Sequence, residues 1–181
     1  MTAQECASML KNNRIFQSVN ESRLEELVDG AQMRTFRRGD ELLSPERGGR
    51  TMGMILTGSA AVNRGRAVIS TLVPGDIFGA VTLFSDEPSP ATTVTARVEC
   101  SAVFFEKDVI AQLIESEPGA AVGFAAYLSA RIRFLTRRIE ALTAGDSASK
   151  LLSYLLEREQ AGEVDIQSCA ELARRLDIGR A

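Results

Sequence analysis

The sequence predicts an α+β protein in which an antiparallel β-barrel is flanked by helices and followed by a long helix. Three observations predict this class. Short β-type runs separated by turn residues fill the chain from residue 32 to residue 106. Apolar residues recur at helical spacing on both sides of that region. At 181 residues, with 45% apolar and 25% charged residues, the chain is long enough to bury such a core.

The barrel is predicted from one helix and seven short strands. Asn20 is a suitable N-cap for a helix that runs from Glu21 to about Val28. The predicted strands are 32–36, 41–43, 52–56, 60–63, 67–73, 92–96 and 101–105. Turn residues such as Arg38-Gly39-Asp40 separate them, which is typical of an antiparallel sandwich or barrel.

The segment from Val73 to Ala96 has the pattern of a ligand-binding element. A Gly-rich turn, one helical turn and a polar loop over 85–90 lie between two predicted strands. Backbone N–H groups can converge on an anion in such an arrangement. The alternative is that side chains fill this segment and that it binds nothing.

A short helix is predicted over 107–115, and a much longer one begins at Pro118, a residue suited to a first helical turn. The apolar residues of the long helix recur at alternating spacings of four and three, and we call this set the seam. The seam consists of Ala121, Ala125, Leu128, Ile132, Leu135, Ile139 and Leu142. Such a narrow heptad stripe favours a two-stranded coiled coil, so we predict a homodimer. An amphipathic helix packed on its own sheet is the alternative.

The C-terminal part predicts the beginning of a helix-turn-helix. Helices are expected over 147–160 and 169–176, with a short strand over 164–166 between them. Ser168 caps the second of these helices, and Glu171 completes a capping box. Asp177-Ile178-Gly179 then resembles a tight inter-helix turn, although a surface helix hairpin explains the same pattern equally well.

Several chemistries are excluded by composition. The chain has no histidine, and its three cysteines, Cys6, Cys100 and Cys169, are far apart without CxxC spacing. We therefore expect no metal, haem, iron–sulfur cluster or other cofactor, and no catalytic triad. A cupin-type enzyme shares a small barrel but depends on histidine ligands, so we expect no enzyme. Redox sensing by Cys6 or Cys100 stays open, although a lone cysteine on a strand is typical of buried packing.

Localisation follows from what the sequence lacks. No run of about 18 apolar residues is present, and the N-terminus has no signal-peptide pattern. We expect a cytoplasmic protein that does not span a membrane. The net charge of −3 neither indicates nor excludes nucleic-acid binding.

Taken in order, these elements resemble the cyclic-AMP receptor protein and fumarate–nitrate regulator (Crp/Fnr) superfamily of bacterial transcription factors. The matching motifs are Phe36-Arg37-Arg38-Gly39-Asp40, Ile55-Leu56-Thr57-Gly58-Ser59, Val73-Pro74-Gly75-Asp76-Ile77-Phe78-Gly79, Thr92 to Ala96, the seam helix and Ala170 to Leu176. The resemblance implies a cyclic-nucleotide-binding-like jelly roll over 1–116 and a dimerisation helix over 117–144. It also implies a partial winged helix-turn-helix over 145–181, truncated at the recognition helix.

The resemblance implies an effector-responsive, dimeric, DNA-binding transcription regulator, with double-stranded DNA and RNA polymerase as partners. Two departures argue against cyclic AMP as the effector. Nucleotide-binding members typically carry a Glu for the ribose hydroxyl where this chain has Ala80, and an Arg for the phosphate where it has Pro90. Proline offers neither charge nor donor, so a different small-molecule effector is expected. A regulatory or scaffolding dimer that has lost nucleotide and DNA binding is the alternative.

The resemblance also assigns candidate residues. The expected effector pocket comprises Gly75, Phe78, Gly79, Ala80, Val81, Leu83, Pro90, Ala91, Thr92, Leu135 and Thr136. Ser168 and Arg180 are the expected DNA-binding residues. A recognition helix would begin near residue 179, so this sequence on its own is expected to bind specific DNA weakly or not at all.

Overall fold

The computed structural model describes residues 2–45, 50–65, 67–86 and 92–143, except for the side chains of residues 138 and 141–143. The predicted elements over 145–181, with Ser168 and Arg180, lie outside the described residues. Residues 1–128 form one compact unit, and a second begins at Ser129.

The described residues form five helices and eight strands. The helices are α1 (Ala3–Lys11), α2 (Glu21–Asp29), α3 (Ala80–Leu83), α4 (Lys107–Ser116) and α5 (Pro118–Thr143). The strands are β1 (Gln32–Phe36), β2 (Glu41–Leu43), β3 (Thr51–Thr57), β4 (Ala60–Arg64), β5 (Ala67–Leu72), β6 (Ile77–Phe78), β7 (Thr93–Ala96) and β8 (Cys100–Glu106).

The strands form two four-stranded antiparallel sheets, in the orders β1-β8-β3-β6 and β2-β7-β4-β5. Strand β3 pairs with β8 from Thr51 opposite Glu106 to Thr57 opposite Ser101. The predicted antiparallel barrel with flanking helices is therefore confirmed. Helix α1 and the two-residue strand β6 were not predicted, and α1 carries a capping box between Thr2 and Glu5 that signals its start.

Two apolar clusters hold the first unit together, because alternate residues of a strand point to opposite faces. In β8, Ala102 and Phe104 face one cluster, whereas Val103 and Phe105 face the other. The barrel core lies between the sheets and consists of Leu42, Leu43, Ile55, Ala60, Val62, Leu72, Phe78, Val94, Ala96, Cys100, Ala102 and Phe104. The helix-side core joins the first sheet to α1, α2, α4 and the first half of α5, and Phe16, Leu24, Met54, Leu83, Phe105, Ile110 and Phe124 are among its members.

The first half of α5 packs against the segment that joins α1 to α2. Ala120 and Phe124 are buried in the helix-side core. Gly123 lies between them, and a Cβ atom at this position would overlap the carbonyl oxygen of Arg14 and lie 2.9 Å from that of Ile15. Glycine at this position therefore allows the helix to approach the backbone closely.

Candidate functional site

The turn at the start of the segment 73–96 is hydrogen-bonded to strand β3. Gly75 has φ 91°, a left-handed conformation that favours glycine. Its N–H donates to the carbonyl of Ile55 at 2.8 Å, and the N–H of Ile55 donates to the carbonyl of Asp76 at 3.0 Å. The Asp76 carboxylate also accepts a hydrogen bond from the N–H of Val73 at 2.8 Å. These bonds set the position of the strand that follows.

A second glycine sets the entry into α3. Gly79 has φ 76°, and a Cβ atom there would lie 2.5 Å from the carbonyl oxygen of Thr51. The conformation and the lack of space both require glycine. The hydroxyl of Thr82 donates to the carbonyl of Gly79 at 2.9 Å and closes the single turn of α3. The predicted order of turn, helical turn and strand is present.

The expected pocket residues Phe78, Val81 and Leu83 lie in three different environments. Phe78 lies in the barrel core, where its ring meets Phe104 edge-on at a centroid distance of 5.6 Å. Leu83 is fully buried in the helix-side core, whereas the side chain of Val81 is 66% exposed. That Val81 and Leu83 line an effector pocket with Phe78 stays a prediction. Successive residues of a helical turn point about 100° apart, so a four-residue helix distributes its side chains among different environments.

The remaining expected pocket residues are only partly described. Thr92 is half-buried just before β7, and Pro90 and Ala91 lie outside the described residues. Leu135 is 39% exposed, and Thr136 is exposed, with its hydroxyl donating to the carbonyl of Ile132 at 3.0 Å. Their role in an effector pocket stays a prediction.

Ala80 occupies the position at which the resemblance expects a carboxylate. It is 3% exposed and belongs to the helix-side core. An apolar methyl group here offers no acceptor to a ligand hydroxyl. Between Val73 and Ala96 the sequence contains three acidic residues and no Lys or Arg, and the carboxylate of Asp76 holds the turn.

Three contacts that the sequence did not predict connect this segment to its helical surroundings. The hydroxyl of Tyr127 on α5 donates to the carbonyl of Ile77 in β6 at 3.0 Å. The rings of Phe84 and Phe124 meet edge-on at 5.5 Å. The side-chain amide of Asn13 donates to the carbonyl of Gly75 at 3.3 Å. These contacts have no signature in the local sequence, because each joins residues far apart in the chain.

The described cysteines are poor nucleophiles. Cys6 and Cys100 are 0% and 1% exposed. Burial raises the pKa of the Cys6 thiol to about 11, and burial together with the nearby Asp40 raises the pKa of Cys100. Both thiols therefore stay protonated near neutral pH, which disfavours redox sensing by either.

The described residues contain neither a group of metal ligands nor a membrane-spanning helix. No three His, Cys, Asp or Glu side chains there come together as metal ligands. In the same part of the chain, no helix is both long and apolar enough to cross a membrane.

The seam of α5 is partly buried by the rest of the chain only at its beginning. Ala121 and Leu128 are half-buried and Ala125 is exposed. Farther along, Ile132, Leu135 and Ile139 are 64%, 39% and 61% exposed, and the side chain of Leu142 is outside the described set. The face that α5 turns towards its own core consists chiefly of Ala120 and Phe124, and the seam residue Leu128 also packs against that core. The second half of the described seam is thus a largely exposed apolar stripe.

Comparison with known proteins agrees with this architecture. The sequence profile of the cyclic nucleotide-binding domain matches residues 33–117. The chain is 28% identical over 153 residues to the CRP-like cAMP-activated global transcriptional regulator of Mycobacterium tuberculosis, a match that covers 81% of this chain and 67% of that protein.

Two solved structures share the fold. The catabolite activator protein of Thermus thermophilus matches with a TM-score of 0.62 and 20% identity, covering 72% of this chain and 63% of that one. The c-di-GMP responsive global regulator CLP of Xanthomonas campestris matches with a TM-score of 0.64 and 16% identity, covering 76% and 72%. Residues 33–117 therefore match a cyclic nucleotide-binding domain in sequence and in fold, and the chain is similar to CRP-like transcription regulators.

Proposed function

We propose that this chain is an effector-responsive, dimeric, DNA-binding transcription regulator whose effector is not cyclic AMP. The observation that carries the proposal is the combination of residues in the segment 73–96. Its glycine frame is intact at Gly75 and Gly79, but a buried alanine, Ala80, stands where a ligand-binding carboxylate is expected. The segment therefore has the backbone shape of a sensor without the charged side chains for a cyclic nucleotide.

The expected loss of binding free energy supports the proposal. Truncating one partner of a buried, hydrogen-bonded charge pair costs roughly 2–5 kcal/mol, which is about 30-fold to several thousand-fold in affinity. Pro90 replaces the expected arginine in the same way, because it has no charge to offer a phosphate. Both departures are expected to lower the affinity for the same ligand, cyclic AMP.

The exposed seam supports a dimer. Ile132 and Ile139 are more than half exposed, and they continue a heptad spacing that a second identical helix can match. An effector would act by binding one arrangement of the two helices more tightly than the other. The hydrogen bond from Tyr127 to the carbonyl of Ile77 gives the sensing segment a direct contact with α5.

The remaining parts of the proposal extend the similarity to CRP-like regulators. The effector domain would occupy 1–116, the dimerisation helix 117–144 and winged helix-turn-helix elements 145–181. Ser168 and Arg180 would lie at the DNA-binding end, and RNA polymerase would be a further partner. The protein would be a cytoplasmic regulator rather than an enzyme, as the regulator relatives suggest.

Thermal denaturation with and without cyclic AMP tests the effector assignment. A ligand at 100 times its dissociation constant stabilises a protein by about 2.7 kcal/mol, which raises the Tm of a chain of this size by roughly 5–10 °C. We expect a shift below about 1 °C with 1 mM cyclic AMP, whereas the mycobacterial relative in the same assay serves as the positive control. A shift of several degrees in this chain would overturn the proposal.

The same assay then searches for the effector. Small aromatic acids and fatty acids are suitable probes, because the segment retains apolar side chains and backbone N–H groups that can hold such molecules. A probe that raises the Tm should lose its effect when Gly79 is replaced by alanine, provided that the variant retains its native circular dichroism.

A further inference from the structure

The hydroxyl of Ser44 is buried without a hydrogen bond. The residue is 2% exposed, and its Oγ has no hydrogen-bond partner in the part of the chain that the structure describes. The other buried polar side chain there, that of Thr82, is satisfied, because its hydroxyl donates to the carbonyl of Gly79. An unpaired buried hydroxyl has given up its hydrogen bonds to water and gained none in return. Such a group is explained by a functional role or by a bound water, ion or ligand.

Ser44 lies beside the strand that ends the segment 73–96. It directly follows Leu43, which is paired with Val94 of β7. The residue before β7 is Thr92, which is half-buried and belongs to the expected effector pocket. The strand register therefore brings the unpaired hydroxyl next to the start of β7, at one end of the segment that the proposed function assigns to sensing.

The surroundings of Ser44 favour an uncharged ligand group. Leu43 and its partner Val94 are buried in the barrel core. Between Val73 and Ala96 no Lys or Arg is present to balance a buried anion. Burying an unpaired carboxylate costs far more than burying a neutral polar group that is hydrogen-bonded. A ligand carboxylate beside Ser44 is therefore disfavoured, whereas a hydroxyl, carbonyl or amide group can be satisfied by the serine alone, which both donates and accepts.

We infer that Ser44 is a specificity-determining residue of the effector site and that its hydroxyl binds one uncharged polar group of an otherwise apolar ligand. This inference rests on the proposed function and narrows its class of effector. A ligand that supplies the missing hydrogen bond removes the cost of the unpaired oxygen, so the bond favours the complex over the free protein. A ligand without such a group leaves the oxygen unpaired and binds more weakly.

The free protein gives the first test, in which Ser44→Ala is compared with the wild type by thermal denaturation. Removing a buried hydroxyl that has no partner should raise the Tm, by about 2–4 °C for a chain of this size. A lower Tm would show that the hydroxyl is already satisfied, for example by a buried structural water, and would overturn the inference. Ser8→Ala is the matched control, because Ser8 is exposed on α1.

Matched pairs of probes give the second test. The pairs are 1-octanol with octanoate and benzamide with benzoate, whose members share an apolar part and differ in charge. We expect at least one neutral probe to raise the Tm of the wild type by more than about 2 °C and its charged counterpart by less than about 1 °C. No shift with either neutral probe, or an equal shift with the charged counterpart, would overturn the inference.

Isothermal titration calorimetry with the neutral probe that stabilises the protein gives the third test. Ser44→Ala should raise the Kd about tenfold, because the polar group of the probe loses its partner. Ser8→Ala should change the Kd less than about twofold. Equal binding by Ser44→Ala and the wild type would contradict the role of Ser44 without affecting the proposed function, whereas stabilisation by cyclic AMP would contradict the proposed function itself. The two failures are thereby distinguished.

Discussion

Replacing Gly123 with alanine tests how α5 is seated on its domain. Alanine is the better helix former and would stabilise an unobstructed helix by up to about 1 kcal/mol. Here the new methyl group would overlap the carbonyl oxygen of Arg14 and lie 2.9 Å from that of Ile15. Both obstacles are backbone atoms, so no side-chain rotation can remove them.

The expected loss of stability depends on which part of the protein must move to accommodate the methyl group. Ile15 and Phe16 are fully buried, which anchors the obstructing segment in the helix-side core. Helix α5 must therefore shift outward, and the packing of Ala120 and Phe124 beneath it loosens. Inserting a methyl group into such a contact typically costs about 1–3 kcal/mol. Because the obstruction is backbone, we expect the upper part of that range, and about 2 kcal/mol of net destabilisation after the gain in helix propensity.

Urea denaturation followed by circular dichroism at 222 nm is the appropriate assay, since the chain contains no tryptophan. For a chain of this length, 2 kcal/mol corresponds to a fall in Tm of roughly 4–8 °C. Gly30→Ala is the matched control. Gly30 ends α2 with φ −83°, and a Cβ atom there would be 3.8 Å from its nearest neighbour, the carbonyl oxygen of Glu26.

The control variant should be unchanged or slightly more stable, because alanine fits its backbone conformation. Gly123→Ala should be clearly less stable than both the wild type and Gly30→Ala. If Gly123→Ala were as stable as the wild type, the close seating of α5 on the segment 14–15 would be refuted.

Two further predictions concern the seam and the buried thiol. Leu135→Lys places a charge on the seam, so it should convert a wild-type dimer to a monomer in sedimentation velocity, and an unchanged dimer would contradict the coiled-coil assignment. Burial raises the pKa of the Cys6 thiol from its ordinary 9.0 to about 11, so the folded state keeps a proton that the unfolded state releases. The stability contribution of Cys6 should be complete below pH 9 and fall between pH 9 and 11, by a few kcal/mol at most. Urea midpoints of the wild type and Cys6→Ala should therefore converge or cross with rising pH, and parallel curves would refute this.

Local pattern was sufficient to predict most of the barrel. Turn residues such as Gly39 and Gly75 and the short β-branched runs between them predicted every strand except β6, with ends within one or two residues. The two-residue strand β6 is too short to produce a periodic signal. Helix α1 was missed, although its capping box is visible in the sequence.

Sequence motifs also predicted some functional features, whereas others became visible only in the fold. The order of motifs around Gly75 and Gly79 was enough to predict the superfamily, and Ala80 and Pro90 were enough to argue against cyclic AMP. The sequence did not predict that Val81 faces solvent while Leu83 is buried, because one helical turn carries too few residues to show a periodic pattern. The hydrogen bond from Tyr127 to Ile77 joins residues 50 positions apart and has no local signature.

The sequence by itself determined most of the elements, the resemblance to a regulator family and the side chains that the sensing segment lacks. Those properties depend on residue type and on spacing along the chain. Only the tertiary structure decided that α5 turns Phe124 towards its own core and leaves Ile132 and Ile139 exposed. The physical reason is that periodicity shows which face of a helix is apolar, whereas the neighbour that covers each part of that face is decided by contacts between residues far apart in the chain.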